Sequence, residues 1–368
     1  MTEILAAVVE HADAPMALRR LRLDSPRVDE ILVRLVATGV CHTDATMWRQ
    51  GVPVPQPVVL GHEGAGIVEA VGGDVRDVAP GDHVVMSFNS CGTCPSCRAD
   101  AQSYCHEFFP RNFFGTRPDG STTLVDAGGA PVFGNIFGQS SFATHALCRE
   151  RNAVVVPRDV DLRIAAPLGC GILTGAGAVM KAQKVQRGQS VVVFGAGSVG
   201  LAAVMAAAVV GAATIVAVDL NADRLALARD LGAGMTIQAG ADDPVAAVLA
   251  ALPGGVDHAI DCTGNPRVIE QAVAVLGVRG ECAIVGAAAP GTMFSADVSH
   301  VMSGGRVIRG VVEGDADPKT FIPELIALHR AGCFPFDRLI RFYPFAEINA
   351  AFHDSETGAA IKPVLLFD

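Results

Sequence analysis

The sequence predicts an α/β protein in which a β-rich N-terminal domain precedes an open parallel sheet. The first 150 residues carry short β-patterned runs between glycine turns, such as Glu30–Val36 and Gly66–Val71, which is typical of a compact barrel-like domain. After Gly175, apolar strands alternate with helical segments. A chain of 368 residues with 50% hydrophobic residues can form the two cores that this arrangement needs.

The parallel sheet is predicted from four apolar strands at 190–194, 214–219, 257–261 and 281–285. Helical segments between them, including Asp223–Leu231 and Pro266–Leu276, would form right-handed crossovers, as in a doubly wound Rossmann domain. A helix at Phe321–His329 and a strand at Ile361–Phe367 follow, and we expect this tail to return to the first domain. The predicted divisions are 1–171, 172–312 and 313–368.

Four cysteines lie close together in a segment of about 91–105. Cys91, Cys94, Cys97 and Cys105 have the spacing of a short lobe that binds a tetrahedral structural zinc ion. Disulfides or free thiols are the alternatives. No signal-peptide pattern precedes the lobe, so we expect a cytoplasmic protein in a reducing compartment, where disulfides are rare.

A second set of metal-binding residue types is scattered along the chain. Cys41, His62 and Cys170 each lie among glycines or at a predicted strand end. Two thiolates and one imidazole would leave the fourth zinc position open, as a Lewis-acid site requires. Each residue taken alone would more often be a structural core residue, because a free cysteine behaves as a small hydrophobic residue; the prediction rests on the three together.

A glycine-rich turn, Gly195-Ala-Gly197-Ser198-Val199-Gly200, joins the first predicted strand to an alanine-rich helix. In this context it predicts a dinucleotide-binding turn, with the pyrophosphate at the helix N-terminus. Asp219 ends the next strand, where a carboxylate would accept hydrogen bonds from the ribose hydroxyls and repel a 2′-phosphate. NAD is therefore predicted rather than NADP, although Arg224 lies nearby.

The charge and composition exclude several classes of partner. A net charge of −10 and no run of lysines or arginines argue against nucleic acid and anionic membranes. The longest apolar stretch, 199–217, is broken at Gly211 and does not form a membrane span. We expect a small-molecule partner. The loop Thr116–Ala130, rich in glycine, aspartate and threonine, is predicted to be mobile.

These motifs together resemble the zinc-dependent medium-chain alcohol dehydrogenases over essentially the whole chain. The resemblance rests on Gly61-His62-Glu63-Gly64-Ala65-Gly66, the four-cysteine lobe, Gly169-Cys170-Gly171 and the glycine-rich turn, which occur in the family's order. It implies a GroES-like β-barrel catalytic domain beside the Rossmann domain. Within the family the chain is most similar to the bacterial aryl-alcohol (benzyl alcohol) and geraniol dehydrogenases, through the strings 87–91, 137–142, 313–318 and 334–340.

The resemblance also implies roles at the catalytic site. Cys41, His62 and Cys170 would bind the catalytic zinc, Glu63 would be a nearby or transient ligand, and Asp44 would orient His62. Thr43 would accept the substrate proton while hydride passes to the nicotinamide. Two zinc ions per chain and a homodimer or homotetramer follow from the same resemblance.

Further residues are implied as cofactor contacts and as the substrate pocket. The cofactor set is His42, Gly195, Gly197, Ser198, Val199, Gly200, Asp219, Arg224, Val285 and Lys362. Two positions depart from the family: His42 replaces an arginine, and Thr46 replaces a histidine that relays the proton. Lys362 could equally be a solvated surface lysine. The pocket set, for which core packing is the alternative, is Trp48, Phe88, Phe137, Ile172 and Leu173.

An apolar pocket of this kind predicts primary aromatic or allylic alcohols as substrates. Three other functions remain to be weighed: a zinc-free reductase, a non-catalytic NAD and zinc sensor, and a glutathione-dependent formaldehyde dehydrogenase. The first two would lose the scattered zinc residues, all of which are present. The third would need a cationic cluster for the peptide carboxylates, and the sequence shows no obvious one.

Overall fold

The structure, a computed structural model, describes residues 1–367. Its strands are β1 Thr2–Val9, β2 Ala17–Leu23, β3 Glu30–Gly39, β4 Val58–Val59, β5 Gly64–Val71, β6 His83–Met86, β7 Leu124–Val125, β8 Pro131–Val132, β9 His145–Arg149, β10 Ala153–Val156, β11 Ser190–Phe194, β12 Thr214–Asp219, β13 Met235–Gln238, β14 Val256–Asp261, β15 Leu276–Ile284, β16 Val307–Gly310, β17 Ile340–Pro344 and β18 Lys362–Leu366. Its α-helices are α1 His42–Trp48, α2 Pro95–Arg98, α3 Phe108–Phe113, α4 Leu162–Ala165, α5 Gly171–Gly177, α6 Ser198–Val210, α7 Ala222–Asp230, α8 Pro244–Ala251, α9 Pro266–Ala274, α10 Val298–Gly304, α11 Pro318–Arg330 and α12 Ile348–Thr357.

The chain divides into two compact units. The first contains 1–170, 317–326 and 337–368, and the second contains 171–316 and 327–336. The predicted divisions place 313–316 and 327–336 in the first domain, whereas the structure groups both segments with the second. The difference at 327–336 arises within α11, because the N-terminal part of this helix belongs to the first unit and its C-terminal end to the second.

The first unit contains two largely antiparallel sheets. One has the strand order β4-β1-β2-β7-β8, and the other has the order β10-β6-β5-β3-β18-β17 with β9 also paired to β3. Strand β3 is buried along most of its length because it pairs with β5, β9 and β18. The C-terminal strand therefore lies beside β3, where Val364 is opposite Gly39.

The second unit is a six-stranded parallel sheet in the order β13-β12-β11-β14-β15-β16. Helix α6 connects β11 to β12, and the order reverses between β11 and β14, which is the doubly wound arrangement. The carboxyl ends of β11 and β14 are therefore adjacent, and Phe194 is opposite Asp261. Strands β13 and β16, each of four residues, were not predicted from the sequence.

The segment Thr116–Ala130, predicted to be mobile, is anchored at two points, whereas residues 118–120 and 127–130 are exposed, and its mobility stays a prediction. Arg117 is only 3% exposed and donates hydrogen bonds to Glu30 at 2.7 and 2.9 Å, and its Nη1 lies 3.0 Å from Asp24 Oδ2. Strand β7 within the segment also pairs with β2. The buried guanidinium of Arg117, which is paired with both Glu30 and Asp24, anchors this part of the loop to the first unit.

Within residues 1–367, no single helix is long and apolar enough to cross a membrane. Only one bent pair of helices, 162–169 with 171–182, has the length and apolar composition that a membrane span needs.

Candidate active site

Three segments of the first unit bring four possible metal ligands together. Cys41 lies at the N-cap of α1, His62 and Glu63 follow β4, and Cys170 follows a 3₁₀ turn at Ala166–Gly169. One ligand atom from each of these residues lies within 4.8 Å of the others. The scattered set in the sequence therefore forms one cluster.

Asp44 holds the imidazole of His62 in place. This fully buried carboxylate accepts hydrogen bonds from His62 Nδ1 at 2.9 Å and from Gly61 N at 3.1 Å through Oδ1, and from Cys41 N at 3.2 Å through Oδ2. The proton of His62 is thereby assigned to Nδ1, and Nε2 retains its lone pair. Nε2 is buried and has no hydrogen-bond partner among residues 1–367. A metal ion would satisfy this atom, whose burial without a partner is otherwise costly.

The charges around the cluster also favour a cation. A hydrogen bond from the Cys170 thiol lowers the pKa of Cys41 well below its ordinary value despite burial, and the charge of Lys362 acts in the same direction. The thiolate is the form of cysteine that binds metals. Two sulfur ligands and an imidazole with a free lone pair are the donor set of a catalytic zinc site, so the residues present fit this ion.

Glu63 is paired with Lys362, 299 residues further along the chain. Lys362 Nζ donates to the two carboxylate oxygens of Glu63 at 2.9 and 3.0 Å and to Val40 O at 3.1 Å. Burial lowers the pKa of Lys362, but the Glu63 carboxylate outweighs it and raises the pKa above its ordinary value. The interpretation of Lys362 as a solvated surface lysine is therefore wrong, because the amine is buried. Its role as a pyrophosphate contact stays a prediction.

Aromatic rings cover one side of the candidate zinc site. Phe137 stacks on the imidazole of His62 with ring centroids 4.5 Å apart and an interplanar angle of 26°. Phe113 and Phe108 contact Phe137 edge-on at 5.1 and 6.4 Å, and Phe88 lies 5.8 Å from Phe108. The predicted pocket residues Phe88 and Phe137 are therefore joined to His62 through an aromatic cluster that also contains two rings of α3.

The four-cysteine lobe is a separate cluster in the same unit. Ligand atoms of Cys91, Cys94, Cys97 and Cys105 all lie within 4.8 Å of one another. Cys91 Sγ and Cys97 Sγ are 3.9 Å apart, and all four cysteines are free, so the disulfide alternative is not what the structure contains.

The pKa values of the thiols in this lobe differ widely. Burial raises the pKa of the Cys91 thiol, but N–H donors of Thr93 and Cys94 outweigh it and lower the pKa to about 6. Burial, with neighbouring thiols, instead raises the pKa of Cys105 to about 12. Four converging thiols that cannot all ionise unaided are what a structural zinc ion would convert to thiolates.

The glycine-rich turn in the second unit has the shape of a phosphate-binding turn. Gly195 has a φ of +92°, and a Cβ on Gly200 would lie 1.8 Å from Gly195 O, so both positions require glycine. A Cβ on Gly197 would meet nothing within 4 Å, which leaves open space beside the N-terminus of α6. Helix α6 has 13 residues and no side-chain cap, so its first N–H groups are available to an anion.

Comparison with known proteins identifies the family. Residues 27–158 match the alcohol dehydrogenase GroES-like domain, and residues 198–329 match the zinc-binding dehydrogenase domain. The chain is 49% identical to geraniol dehydrogenase of Castellaniella defragrans over 363 residues, which cover 98% of this chain and 97% of that protein. The chain belongs to the zinc-dependent medium-chain alcohol dehydrogenase family. It is therefore a zinc- and NAD(P)-dependent oxidoreductase that acts on a small molecule.

Two further proteins are similar to this dehydrogenase over nearly its whole length. The crystal structure of benzyl alcohol dehydrogenase from Acinetobacter calcoaceticus is 47% identical, has a TM-score of 0.97 and matches 100% of both chains. The S-(hydroxymethyl)glutathione dehydrogenase of Saccharomyces cerevisiae is 33% identical over 373 residues, which cover 99% of this chain and 96% of that protein. The GroES-like and Rossmann fold class predicted from the sequence is confirmed.

The remaining cofactor residues lie in different environments. Asp219 accepts hydrogen bonds from Ala196 N at 2.6 Å and Asn221 N at 2.8 Å, so it also holds the glycine-rich turn. Arg224 Nε is buried without a partner among residues 1–367, and an acceptor on the dinucleotide would satisfy it. Val285 follows β15, and its N–H is bonded to Asp261 O at 2.9 Å. His42, the first residue of α1, is exposed.

Three residues of the predicted pocket are in core surroundings. The Trp48 indole donates to Ala14 O at 2.7 Å and its ring meets Phe352 edge-on at 5.5 Å, so its contacts are those of a core residue. Ile172 and Leu173 are fully buried in α5 of the second unit. These surroundings agree with the packing alternative, and a place for Trp48, Ile172 and Leu173 in the substrate pocket stays a prediction.

Helix α1 also carries Thr43, the predicted proton acceptor, and Thr46, which takes the place of the family's relay histidine. Thr43 is its second residue, two positions after Cys41, and is half-buried. Thr46 Oγ1 donates to His42 O one helical turn earlier, at 3.0 Å. The hydroxyl at the position of the missing relay histidine is thus bonded within its own helix.

Sequence reasoning missed two residues that fix the backbone of the site. Gln139 is buried, accepts from Gly64 N at 3.0 Å and donates to His62 O at 2.9 Å. Ser87 Oγ donates to Gly169 O at 2.6 Å, directly before Cys170. Gln139 lies in the string 137–142 and Ser87 in the string 87–91, on which the resemblance to the family rests. Only the folded chain shows that they position the segments carrying His62 and Cys170.

Proposed function

We propose that this dehydrogenase oxidises primary aromatic and allylic alcohols reversibly to aldehydes with NAD⁺. The observation that carries this proposal is the aromatic cluster on His62, with the Phe137 ring stacked 4.5 Å from the imidazole. Such a surface favours a flat apolar substrate over ethanol or a polyol. The geraniol and benzyl alcohol dehydrogenases to which the chain is 49% and 47% identical support the same substrate class.

Each residue of the site has a chemical role in this reaction. Cys41, His62 and Cys170 would hold zinc, which supplies Lewis acidity at the substrate hydroxyl, and the nicotinamide supplies the hydride acceptor. Thr43 accepts the substrate proton. Asp44 fixes the tautomer and orientation of His62. Lys362 keeps the Glu63 carboxylate paired, and the phenylalanine rings exclude water.

An NAD⁺-reduction assay tests the substrate class. The panel contains benzyl alcohol, geraniol, ethanol, sorbitol and S-hydroxymethylglutathione at matched concentrations. We expect kcat/KM to be highest for benzyl alcohol or geraniol. A preference for ethanol would indicate a broad-range alcohol dehydrogenase, and a preference for S-hydroxymethylglutathione would assign the function of the relative from Saccharomyces cerevisiae.

We predict that Asp219→Gly raises KM for NAD⁺ and improves the relative use of NADP⁺. The change removes an acceptor for the ribose hydroxyls and a charge that repels the 2′-phosphate. Asp219→Asn is the matched control, because an amide oxygen can still accept from Ala196 N and preserve the turn. Initial rates with both cofactors check the prediction. A wild-type enzyme that already prefers NADP⁺ would contradict it.

We propose two zinc ions per chain and predict that Cys97→Ser loses one of them. Structural zinc contributes folding free energy, so the melting temperature should fall together with the metal content. Cys148→Ser is the control, because Cys148 is a buried cysteine outside both clusters. Elemental analysis and thermal denaturation provide the two measurements. One zinc per chain in the wild type, with an unchanged Cys97→Ser melting temperature, would remove the structural site.

A cytoplasmic homodimer or homotetramer is the remaining part of the proposal. Zinc-binding thiols need a reducing compartment, which supports the cytoplasmic location. Strand β16 pairs with β15 alone among the described strands, and Val298 and Met302 nearby are 77% and 74% exposed, which supports association of identical chains. Sedimentation velocity of the purified enzyme would measure its oligomeric state.

A further inference from the structure

The ring that stacks on His62 is carried by a backbone conformation that bulky residues rarely adopt. Phe137 has a φ of +51° and a ψ of +29°, in the left-handed region, where a large side chain is strained. Its neighbours Asn135, Gly138 and Ser140 also have positive φ values, of +71°, +66° and +52°. Strain of this kind persists only where the surrounding contacts fix it, and it is concentrated at functional sites.

Buried hydrogen bonds fix this loop on both sides of the strained residue. Ser140 Oγ accepts from Ile136 N at 2.9 Å and donates to Val59 O at 2.6 Å. Asn152, which is only 1% exposed, donates to Gly138 O at 3.3 Å. These contacts hold the left-handed backbone in place, so the loop itself sets the direction of the aromatic ring that it carries.

The ring covers a face of the imidazole that the bond to Asp44 does not hold. The N–H at Nδ1 lies in the plane of the imidazole, and its bond to Asp44 Oδ1 at 2.9 Å fixes the tautomer. One bond in the plane still lets the imidazole of His62 rock out of that plane, which would displace Nε2. The Phe137 ring is 4% exposed and lies against the face at 4.5 Å and 26°, so it blocks this movement toward its own side.

We propose that Phe137 is a positioning residue for the candidate zinc ligand His62. Its ring, held by the left-handed backbone, keeps Nε2 in place for zinc and slows release of the metal. The role requires a flat ring, because stacking depends on the geometry of the two rings and not only on apolar volume. It goes beyond the proposed substrate class, since it concerns the metal whichever alcohol is oxidised.

Release of zinc from the purified holoenzyme tests this role. The reaction with excess pyridylazoresorcinol is followed in the wild type and in Phe137→Leu, which keeps an apolar side chain but removes the flat ring. Cys170→Ser identifies the phase that belongs to the candidate zinc site, because this variant lacks it. In Phe137→Leu that phase should be about tenfold faster, the lower end of the effect of removing a residue that supports a metal ligand. Release from the four-cysteine lobe should not change.

Two matched substitutions separate stacking from loss of packing. Phe137→Tyr keeps the flat ring, so zinc should leave the candidate zinc site within about twofold of the wild-type rate. Phe88→Leu makes the same change as Phe137→Leu at an equally buried phenylalanine, also 4% exposed, whose ring contacts Phe108 at 5.8 Å. It should leave the release rate unchanged. In cobalt-substituted enzymes, the d–d absorption bands of this site should shift in Phe137→Leu and keep their positions in Phe137→Tyr.

Two results would overturn the role of Phe137. One is release of zinc from Phe137→Leu at the wild-type rate, and the other is equal acceleration in Phe137→Leu and Phe88→Leu, which would indicate general loosening of the aromatic cluster. If Phe137→Leu does not fold, Phe137→Met replaces it, because the flexible methionine side chain fills irregular space without a flat ring. Failure of the proposed function would appear in the substrate panel and would leave these release rates unaffected.

Discussion

Replacing Lys362 with methionine is expected to lower the free energy of unfolding of the first unit by about 3–5 kcal/mol, the usual cost of leaving a buried charge without its partner. Methionine keeps most of the side-chain volume but removes the ammonium that donates to both oxygens of Glu63 and to Val40 O. Burial already raises the pKa of Glu63 to about 7, and loss of Lys362 would raise it further. The Glu63 group would then lie buried beside Cys41 and Cys170 without its countercharge, so the cost should be largest at a pH above this pKa, where the carboxylate is ionised. Urea denaturation followed by circular dichroism measures the effect.

A double variant distinguishes the lost ion pair from lost packing. Glu63→Gln/Lys362→Met removes both charges, so it should recover at least half of the stability that Lys362→Met loses. Lys319→Met changes an exposed lysine of the same unit and should stay within about 0.5 kcal/mol of the wild type. If the double variant is as unstable as Lys362→Met, the cost comes from packing or from the Val40 contact rather than from the buried charge.

Local patterns explain why so much of the fold could be predicted. The four cysteines of the lobe are separated by at most seven intervening residues, so their spacing alone limits how they can converge. The predicted strands at 190–194 and 214–219 have those bounds in the structure, because buried parallel strands are continuous apolar runs. Strand β13, Met235–Gln238, has no such run and was missed.

Contacts between distant parts of the chain could not be predicted in this way. Glu63 and Lys362 are 299 residues apart, and Arg117 and Glu30 are 87 apart. Each of these charged residues looks like an ordinary surface residue in the sequence, and only the sheet that pairs β18 with β3 places Lys362 beside the site. The same limit applies to α3, where a phenylalanine-rich segment after the lobe gave no sign that Phe113 would contact Phe137.

The largest catalytic effect is expected from the Thr43 hydroxyl. Thr43→Ala should lower kcat for alcohol oxidation by about 10²-fold or more, the scale of a lost acid–base group. The loss should appear in kcat and kcat/KM together, since the hydroxyl acts on the proton that leaves during the reaction. Steady-state kinetics with benzyl alcohol and NAD⁺ measure it, and an unchanged zinc content shows that the neighbouring Cys41 and Asp44 remain in place.

Two matched substitutions on α1 decide whether the hydroxyl itself is responsible. Thr43→Ser retains the oxygen and should remain active. Thr46→Ala removes a hydroxyl from the same helix and should leave kcat within about twofold of the wild type, because Thr46 is half-buried and its Oγ1 donates to the backbone carbonyl of His42. Equal losses in Thr43→Ala and Thr46→Ala would indicate damage to the helix, whereas a fully active Thr43→Ala would move the proton acceptor to another group.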